Sequence, residues 1–577
     1  MRKLAAIGGA LGLALLFLGT GVPATGATVS HALINGSGSG WSANAVNQWI
    51  ADVQPKGLQV VYTAVGSAQG RKDFAYKTTD YAVSDIGYQG HDEVTGDVDT
   101  SLGRKYAYLP IVAGGTAFPY HIDVAGQLVR TLRLSGQTLA KIFTNKITNW
   151  NDPQIRADNN KRFQVGSSVI GSLPSIPIIP VVHSEGAGTT AQFTTFLNTV
   201  YPSLWQPFFG HNGFTEYYPR KGAAIAQNGS DGVMNYVSSS SANGAIGFDE
   251  YSYALAKNYP VAKVLNQAGF YTLPTQYNVA VALTKAIINE NKNSPNYLLQ
   301  DLHNVYVASD PRTYPLSSYS YGIIPTAPTD QKMTTAKRQT LVDFLSYSIC
   351  RGQREMGPIG YSPLPLNLVQ ASFAQVGKLK VADHSVQLAS SPVTSCDNPT
   401  FYGPNLKINC LAIVAPPPPP CDKKGTGPCA AGAGSANGNP NGCNGHGGGQ
   451  APGGSGNGGS GGSQQPNGTG TSAPPGSSNG NGNPSSAPSV GTSLPPGQID
   501  PNTGQFVGGS SGGDTSSGGD LSIGGGAVPV ATEIPHQGSL SPGILAPLVV
   551  LVLLGLIAGP PLLARRLNKP PDKPQGS

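Results

Sequence analysis

The sequence predicts an exported α/β body carried on a long unfolded tract, and three observations predict it. Between Val29 and about Val386, segments with helical apolar spacing alternate with β-rich runs, the pattern of an α/β architecture built mainly on parallel sheets. Of the 577 residues 77 are Gly and 49 Pro, roughly 22% against an ordinary ~12%. That excess crowds into Pro416–Gly538, a stretch too poor in apolar side chains to offset its conformational entropy. Both ends of the chain carry an apolar run.

At the N-terminus Arg2 and Lys3 precede the run Leu4–Leu18, and small residues follow through Ala24-Thr25-Gly26-Ala27. This is the shape of a secretory signal peptide, residues 1–27, cut near Ala27. In the body, Val46, Trp49, Ile50 and Val53 recur at helical spacing, Leu58–Val65 is β-rich, and Phe193, Phe196, Leu197 and Val200 mark one face of a further helix. No internal repeat is visible. Residues 387–415 read as an appendage in which Phe401, Tyr402, Leu406 and Ile408 lie between Cys396 and Cys410. A tether follows, residues 416–543; as a Gly-rich coil of ~125 residues it reaches roughly 60 Å. Residues 544–564 are uncharged and mostly aliphatic, long enough as a helix to span roughly 31 Å, one hydrocarbon core. Arg565, Arg566, Lys569 and Lys573 follow, so the tail 565–577 is placed inside and the body outside.

Charge and cysteines narrow the function. Only 11% of residues are charged and the net +6 is spread without a basic run in the body, which excludes a nucleic-acid binder that needs a clustered basic face. The cysteines, at 350, 396, 410, 421, 429 and 443, form an even set in an oxidising compartment and allow three disulfides among fifteen pairings. Their spacing lacks a CxxC and His446 is the one nearby His, so no metal or other cofactor is predicted. The body holds no GxSxG elbow, no HExxH and no Cys/His pair with nucleophile spacing, so no enzyme is predicted either.

Three polar, Gly-rich segments each precede a helical pattern: GSGSGWS (Gly36–Ser42), GSAQGRK (Gly66–Lys72) and HSEGAGTT (His183–Thr190), the last directly after the apolar run Ile176–Val182. A helix N-terminus offers unpaired N–H groups and a partial positive charge, and Gly lets the backbone close around an anion. Several such ends aimed at one point make an oxyanion cradle with little net charge. None is a Walker A loop, because Gly66–Lys72 lacks the spacing and the Ser/Thr after Lys.

In order and spacing these segments resemble the phosphate-binding protein of the high-affinity phosphate ABC transporter. Between about Leu33 and Val376 the resemblance also takes in Tyr81–Gly90, Leu109–Ile122, Leu132–Ile155 with its KITNW and DP, Gly244–Ala254 and Gly360–Pro365. It implies a two-lobed type 2 periplasmic-binding-protein fold that closes on phosphate in a cleft. Lobe one would comprise Val29–Gly114 and Tyr319 to about Val386, and lobe two Thr116–Ser318. It further implies separate permease and ATPase partners, because one span forms no pathway.

Site residues follow from the resemblance one position at a time. The family's first loop falls on Gly40 and Trp41, where only backbone N–H groups are offered at Gly40. The Ser that opens the second helix falls on Ser67, and the Asp that accepts the proton of bound phosphate falls on Asp85. Such a carboxylate selects hydrogen phosphate, which donates to it, over sulfate, which carries no proton at neutral pH. The third loop departs from the family's Arg-x-Asp-Gly-Ser-Gly-Thr: His183 stands for Arg, Glu185 for Asp and Ala187 for Ser, while Gly186, Gly188 and Thr189 are retained. His183 as imidazolium and Arg71 in the first turn after Ser67 are the candidates to replace the lost Arg. The altered loop keeps two alternatives open: another oxyanion or phosphorylated solute in the same fold, and a surface module with a degenerate cleft.

Overall fold

The computed structural model describes residues 30–91, 98–390 and 392–430. The signal peptide expected at 1–27, the span expected at 544–564 and most of the expected tether lie outside the described residues. Among the described residues no helix is long and apolar enough to cross a membrane.

The expected alternation is present. Strand Ile34–Gly38 leads into helix Ala43–Val53, strand Val60–Ala64 into helix Ser67–Ala75, and strand Tyr81–Ser84 follows. Val46, Trp49 and Val53 lie on the buried face of the first helix as their spacing requires, together with Ala45, while Ile50 is half-buried at its edge. In the first sheet the order is Asp249–Glu250, Tyr106–Ala117, Ser317–Pro325, Tyr81–Ser84, Ile34–Gly38, Val60–Ala64. Strand Ile34–Gly38 runs parallel to both neighbours, with Ile34 beside Val60 and Gly36 beside Tyr81. Strand Ser317–Pro325 is antiparallel to Tyr81–Ser84 and to Tyr106–Ala117. The sheet is therefore mixed rather than mainly parallel. The reason is that Ser317–Pro325 returns from 200 residues away instead of through a local helical crossover, and only the latter enforces parallel strands.

A second sheet, Ile225–Gln227, Ile179–His183 and Ala245–Gly247, is parallel throughout. Helix Gly188–Val200 follows its central strand and buries Phe193, Phe196 and Leu197. Phe193 packs against Phe118, Phe143 and Phe248 with ring centroids 5.3, 5.0 and 4.9 Å away. A third, small sheet joins Tyr271–Thr272, Lys263–Leu265 and Arg133–Leu134. The chain passes between the first sheet and the other two along Tyr106–Ala117 and again along Ser317–Pro325, buried strands that pair from Ser317 opposite Gly115 to Pro325 opposite Tyr106.

Two disulfides are seen, Cys350–Cys396 and Cys421–Cys429, Cys410 is also disulfide-bonded, and no described cysteine is free. Residues 416–430, which composition assigns to the tether, are packed. Arg133 donates to the carbonyls of Cys421 (3.1 Å) and Thr426 (2.7 Å), and Lys263 pairs with Asp422 at 2.6 Å. A short disulfide loop with a buried carboxylate holds there what Pro and Gly content alone does not.

Candidate functional site

Where the first and second sheets face each other, the chain makes a polar seam. Three helices open on it without a side-chain cap: Ala43–Val53, Ser67–Ala75 and Gly188–Val200. Ser135, Asp152, Thr275 and Thr334 cap helices elsewhere, while Pro202–Phe209, Gly229–Val237 and Leu366–Ala382 also lack a side-chain cap, so what sets these three ends apart is that they meet at one place. The first N–H groups of a helix have no intrahelical acceptor, so these three ends bring together N–H donors and positive dipole potential, although Ala43 N–H is taken by Gly40 O and Ala68 N–H by Gly186 O.

Asp85, just past strand Tyr81–Ser84, sits at the centre and is 2% exposed. Its carboxylate accepts from Ser39 Oγ (2.9 Å at Oδ1, 2.7 Å at Oδ2), from Ser320 Oγ (2.7 Å) and from Ser67 Oγ (3.2 Å). Burial raises its pKa above the ordinary carboxylate value, while the Ser320, Ser39 and Ser67 bonds and the charge of Arg71 oppose the rise. Gly188 lies directly over this carboxylate: a Cβ there would collide with Asp85 Oδ2, and would come 2.5 Å from Ser67 Oγ. Gly66, at φ +91°, is needed for the same approach, since a Cβ on it would be 2.8 Å from Gly186 O. Ala68 N–H donates to Gly186 O at 3.1 Å and Gln192 Nε2 to Asp85 O at 2.9 Å, so the two sides are hydrogen-bonded to each other.

The remaining expected residues divide. Gly40 and Trp41 lie on the same seam: Gly40 O accepts from Tyr253 OH (2.7 Å) and Trp41 O from Tyr361 OH (2.6 Å). Trp41 Nε1 is buried without a partner. Thr189 is buried beside Gly188 in the first turn of its helix. Ala187 uses its N–H on Glu216 O at 3.0 Å.

Neither candidate for the missing Arg has a free N–H in this geometry, and here the expectation is corrected. Arg71 is fully buried and bonds Asp99, Ser84 and Glu216 through all three guanidinium nitrogens. Burial works against its charge, but Glu216 and then Asp99 hold its pKa above the ordinary value. His183 ends its strand with Nδ1 2.8 Å from Glu185 Oε1 and Nε2 3.3 Å from Phe248 O. Burial disfavours its charged form, yet the bond to Glu185 and the charge of Asp249 outweigh burial and raise its pKa. Glu185 moves the other way, below the usual range, because the His183 bond and charge exceed its own desolvation. The physical reason is common to both: in a buried seam each cation is taken by the nearest carboxylate, which sequence position alone does not reveal.

Ser39, Ser320, Gln192 and Glu216 were not singled out from the sequence. Ser39 lies inside the first Gly/Ser segment and was legible there. Ser320 and Glu216 reach the site from 235 and 145 residues away from Asp85 and Arg71, with no local signal. Among the described residues no group of three His, Cys, Asp or Glu is arranged to hold a metal.

The chain is similar to known proteins of one family. The PBP superfamily domain family matches residues 22–351. The phosphate-binding protein PstS of Methanocaldococcus jannaschii is 27% identical over 370 residues, 63% of this chain and 90% of that protein. Phosphate-binding protein PstS 2 of Mycobacterium tuberculosis is 30% identical over 347 residues, 59% of this chain and 85% of that protein. The crystal structure of a DING protein is 20% identical with a TM-score of 0.44, covering 62% of this chain and 100% of the other. Given the family match over more than half of its length and the identity to PstS 2, the chain belongs to the PBP superfamily, among its PstS-type phosphate-binding proteins.

Proposed function

We propose that the protein is an extracytoplasmic solute-binding protein that captures inorganic phosphate between two lobes, Val29–Gly114 with Tyr319–Val386 and Thr116–Ser318, and hands it to an ABC permease and its ATPase. The observation that carries this reading is Asp85. A buried carboxylate encircled by three serine hydroxyls and faced by bare helix N-termini is suited to an anion that brings its own proton. Phosphate oxygens take the N–H groups of Gly40, Trp41, Gly188 and Thr189 and the Ser67 hydroxyl, while the phosphate O–H donates to Asp85. Ser39 and Ser320 keep Asp85 aimed. In this reading the protein binds and releases its ligand without catalysis. The segment 544–564 anchors it with the body outside.

Full-length protein titrated calorimetrically with phosphate and with sulfate at neutral pH tests this. Phosphate binds and sulfate does not; Asp85→Asn weakens phosphate by about tenfold to a hundredfold, the worth of a charge-assisted hydrogen bond, and admits sulfate. Absence of phosphate heat in the wild type sinks the proposal. A second reading, another oxyanion or a phosphorylated solute in the same cleft, is favoured by the engagement of Arg71 and His183 with carboxylates and by Ala187 in place of Ser. Heat with a phosphate monoester and none with phosphate selects it.

A further inference from the structure

Arg71 joins the two sides of the cleft. Its Nε donates to Asp99 at 2.9 Å and its Nη1 to Ser84 Oγ at 2.9 Å, both on the first-sheet side. Nη1 and Nη2 donate to Glu216 at 3.1 and 2.5 Å, and Glu216 comes from the opposite side. The carbonyl of Glu216 also accepts the Ala187 N–H, one residue before Gly188, so this residue grips the ligand loop through its backbone and Arg71 through its side chain. We propose that Arg71 and Glu216 form a closure latch: they are positioning residues that hold the lobes shut over the ligand and contact no ligand themselves. The proposal rests on the phosphate reading of the cleft.

The chemistry supports a latch over a ligand arm. Every guanidinium nitrogen already faces an acceptor, and Arg71 is 0% exposed. When the lobes part, Arg71 keeps Asp99 and Ser84, whereas Glu216 exchanges a guanidinium for water. Breaking the pair while the seam is still dry leaves one buried charge uncompensated, which raises the barrier to opening more than the barrier to encounter. The latch therefore governs release.

Stopped-flow measurement of phosphate association and dissociation on the full chain, for wild type, Glu216→Gln and Glu216→Asp, reads this directly. Glu216→Gln is expected to raise the dissociation rate by about tenfold or more and to change association less than about twofold, with Glu216→Asp in between and phosphate-over-sulfate preference intact. A readout without ligand keeps this test separate from the phosphate reading: exchange of the Ala68 amide, bonded across the seam to Gly186 O, is expected to accelerate in Glu216→Gln. If wild-type protein ignores phosphate, the phosphate reading fails and the exchange arm still decides the latch. Unchanged release and unchanged Ala68 exchange overturn the latch. So does an Arg71→Ala variant that loses phosphate selectivity while Glu216→Gln is silent, because Arg71 is then a ligand arm.

Residues 396–430 make a third crossing, on contacts independent of the latch. The Cys350–Cys396 disulfide fixes one end beside helix Thr335–Ser348, and Asn398 Nδ2 and Thr400 Oγ1 donate to Leu364 O at 2.9 and 2.7 Å. Midway, Arg312 Nη1 donates to Ala412 O and Ala415 O at 3.0 and 3.1 Å. The far end lies on the third sheet, through Arg133, the Lys263–Asp422 pair, and Lys424 N–H on Gly269 O at 2.8 Å. We infer that this segment is a splint across the hinge, stiffening a joint that two strands alone would leave free to bend. In full-length Asp422→Ala, and in a Cys421→Ser/Cys429→Ser double variant, unliganded Ala68 exchange is expected to rise by about fivefold or more while strand Tyr106–Ala117 stays protected. If residues 420–426 exchange freely in either variant and Ala68 does not respond, the splint is refuted.

Discussion

Gly188→Ala places one methyl group where the closed cleft has no room. The Cβ would stand 2.6 Å from Asp85 Cβ and 2.5 Å from Ser67 Oγ, and would overlap Asp85 Oδ2. Carbon contacts settle near ~3.5–4.0 Å, so the seam must part by about 1 Å. That displacement breaks the Ala68–Gly186 and Gln192–Asp85 hydrogen bonds, of 3.1 and 2.9 Å. At ~0.5–1.5 kcal/mol each, closure loses about 1–3 kcal/mol, or about fivefold to a hundredfold in phosphate affinity. The backbone tolerates the change, since Gly188 is not among the glycines at positive φ and begins a helix, where Ala is favoured over Gly by up to ~1 kcal/mol. Fold stability is thus expected to hold or rise while affinity falls. Calorimetric titration of the full chain with phosphate, paired with urea unfolding, separates the two. Wild-type affinity in Gly188→Ala would refute the reasoning that closure brings this residue onto Asp85.

Three further outcomes are expected. Burial pushes the Asp249 carboxyl up to about 6 from 3.8, against the pull of His183. A raised folded pKa favours the protonated form, so stability is full below pH ~4 and is lost as pH rises to ~6; Asp249→Asn should gain up to about 3 kcal/mol on wild type over that window. A difference between the two that does not vary with pH in urea unfolding would rule this out. Ser320→Ala removes the 2.7 Å bond to Asp85 Oδ1 and should cost ~1.5–3 kcal/mol by the same assay, whereas a loss below ~0.5 kcal/mol would mean that water restores the bond. Replacing Cys350 and Cys396 by Ser opens a loop of sequence separation 46, worth about 4 kcal/mol in the chain-entropy account, and an unchanged thermal midpoint would contradict it.

Much of the molecule was legible because its signals are local. A helix such as Ala43–Val53 declares its buried face in the spacing of Val46, Trp49 and Val53, and the Gly-rich segments before Ser67 and Gly188 announce bare helix ends a few residues later. Asp85 was pointed to by the family resemblance that the segment Tyr81–Gly90 carries, not by its own local pattern. The even cysteine count foretold that every described cysteine is paired. What the sequence left undetermined lies at long range. That Ser320 rather than another hydroxyl supports Asp85, that Arg71 faces Glu216 rather than the cleft, and that His183 is taken by Glu185 are choices among several chemically equal partners. The same holds for residues 416–430, whose composition reads as unfolded until Arg133 and Lys263 arrive to bind them. Periodicity and capping depend on neighbours within a few residues and can be read along the chain; the pairing of a buried charge depends on which groups the packed sheets bring within about 3 Å, and only the tertiary structure decides that.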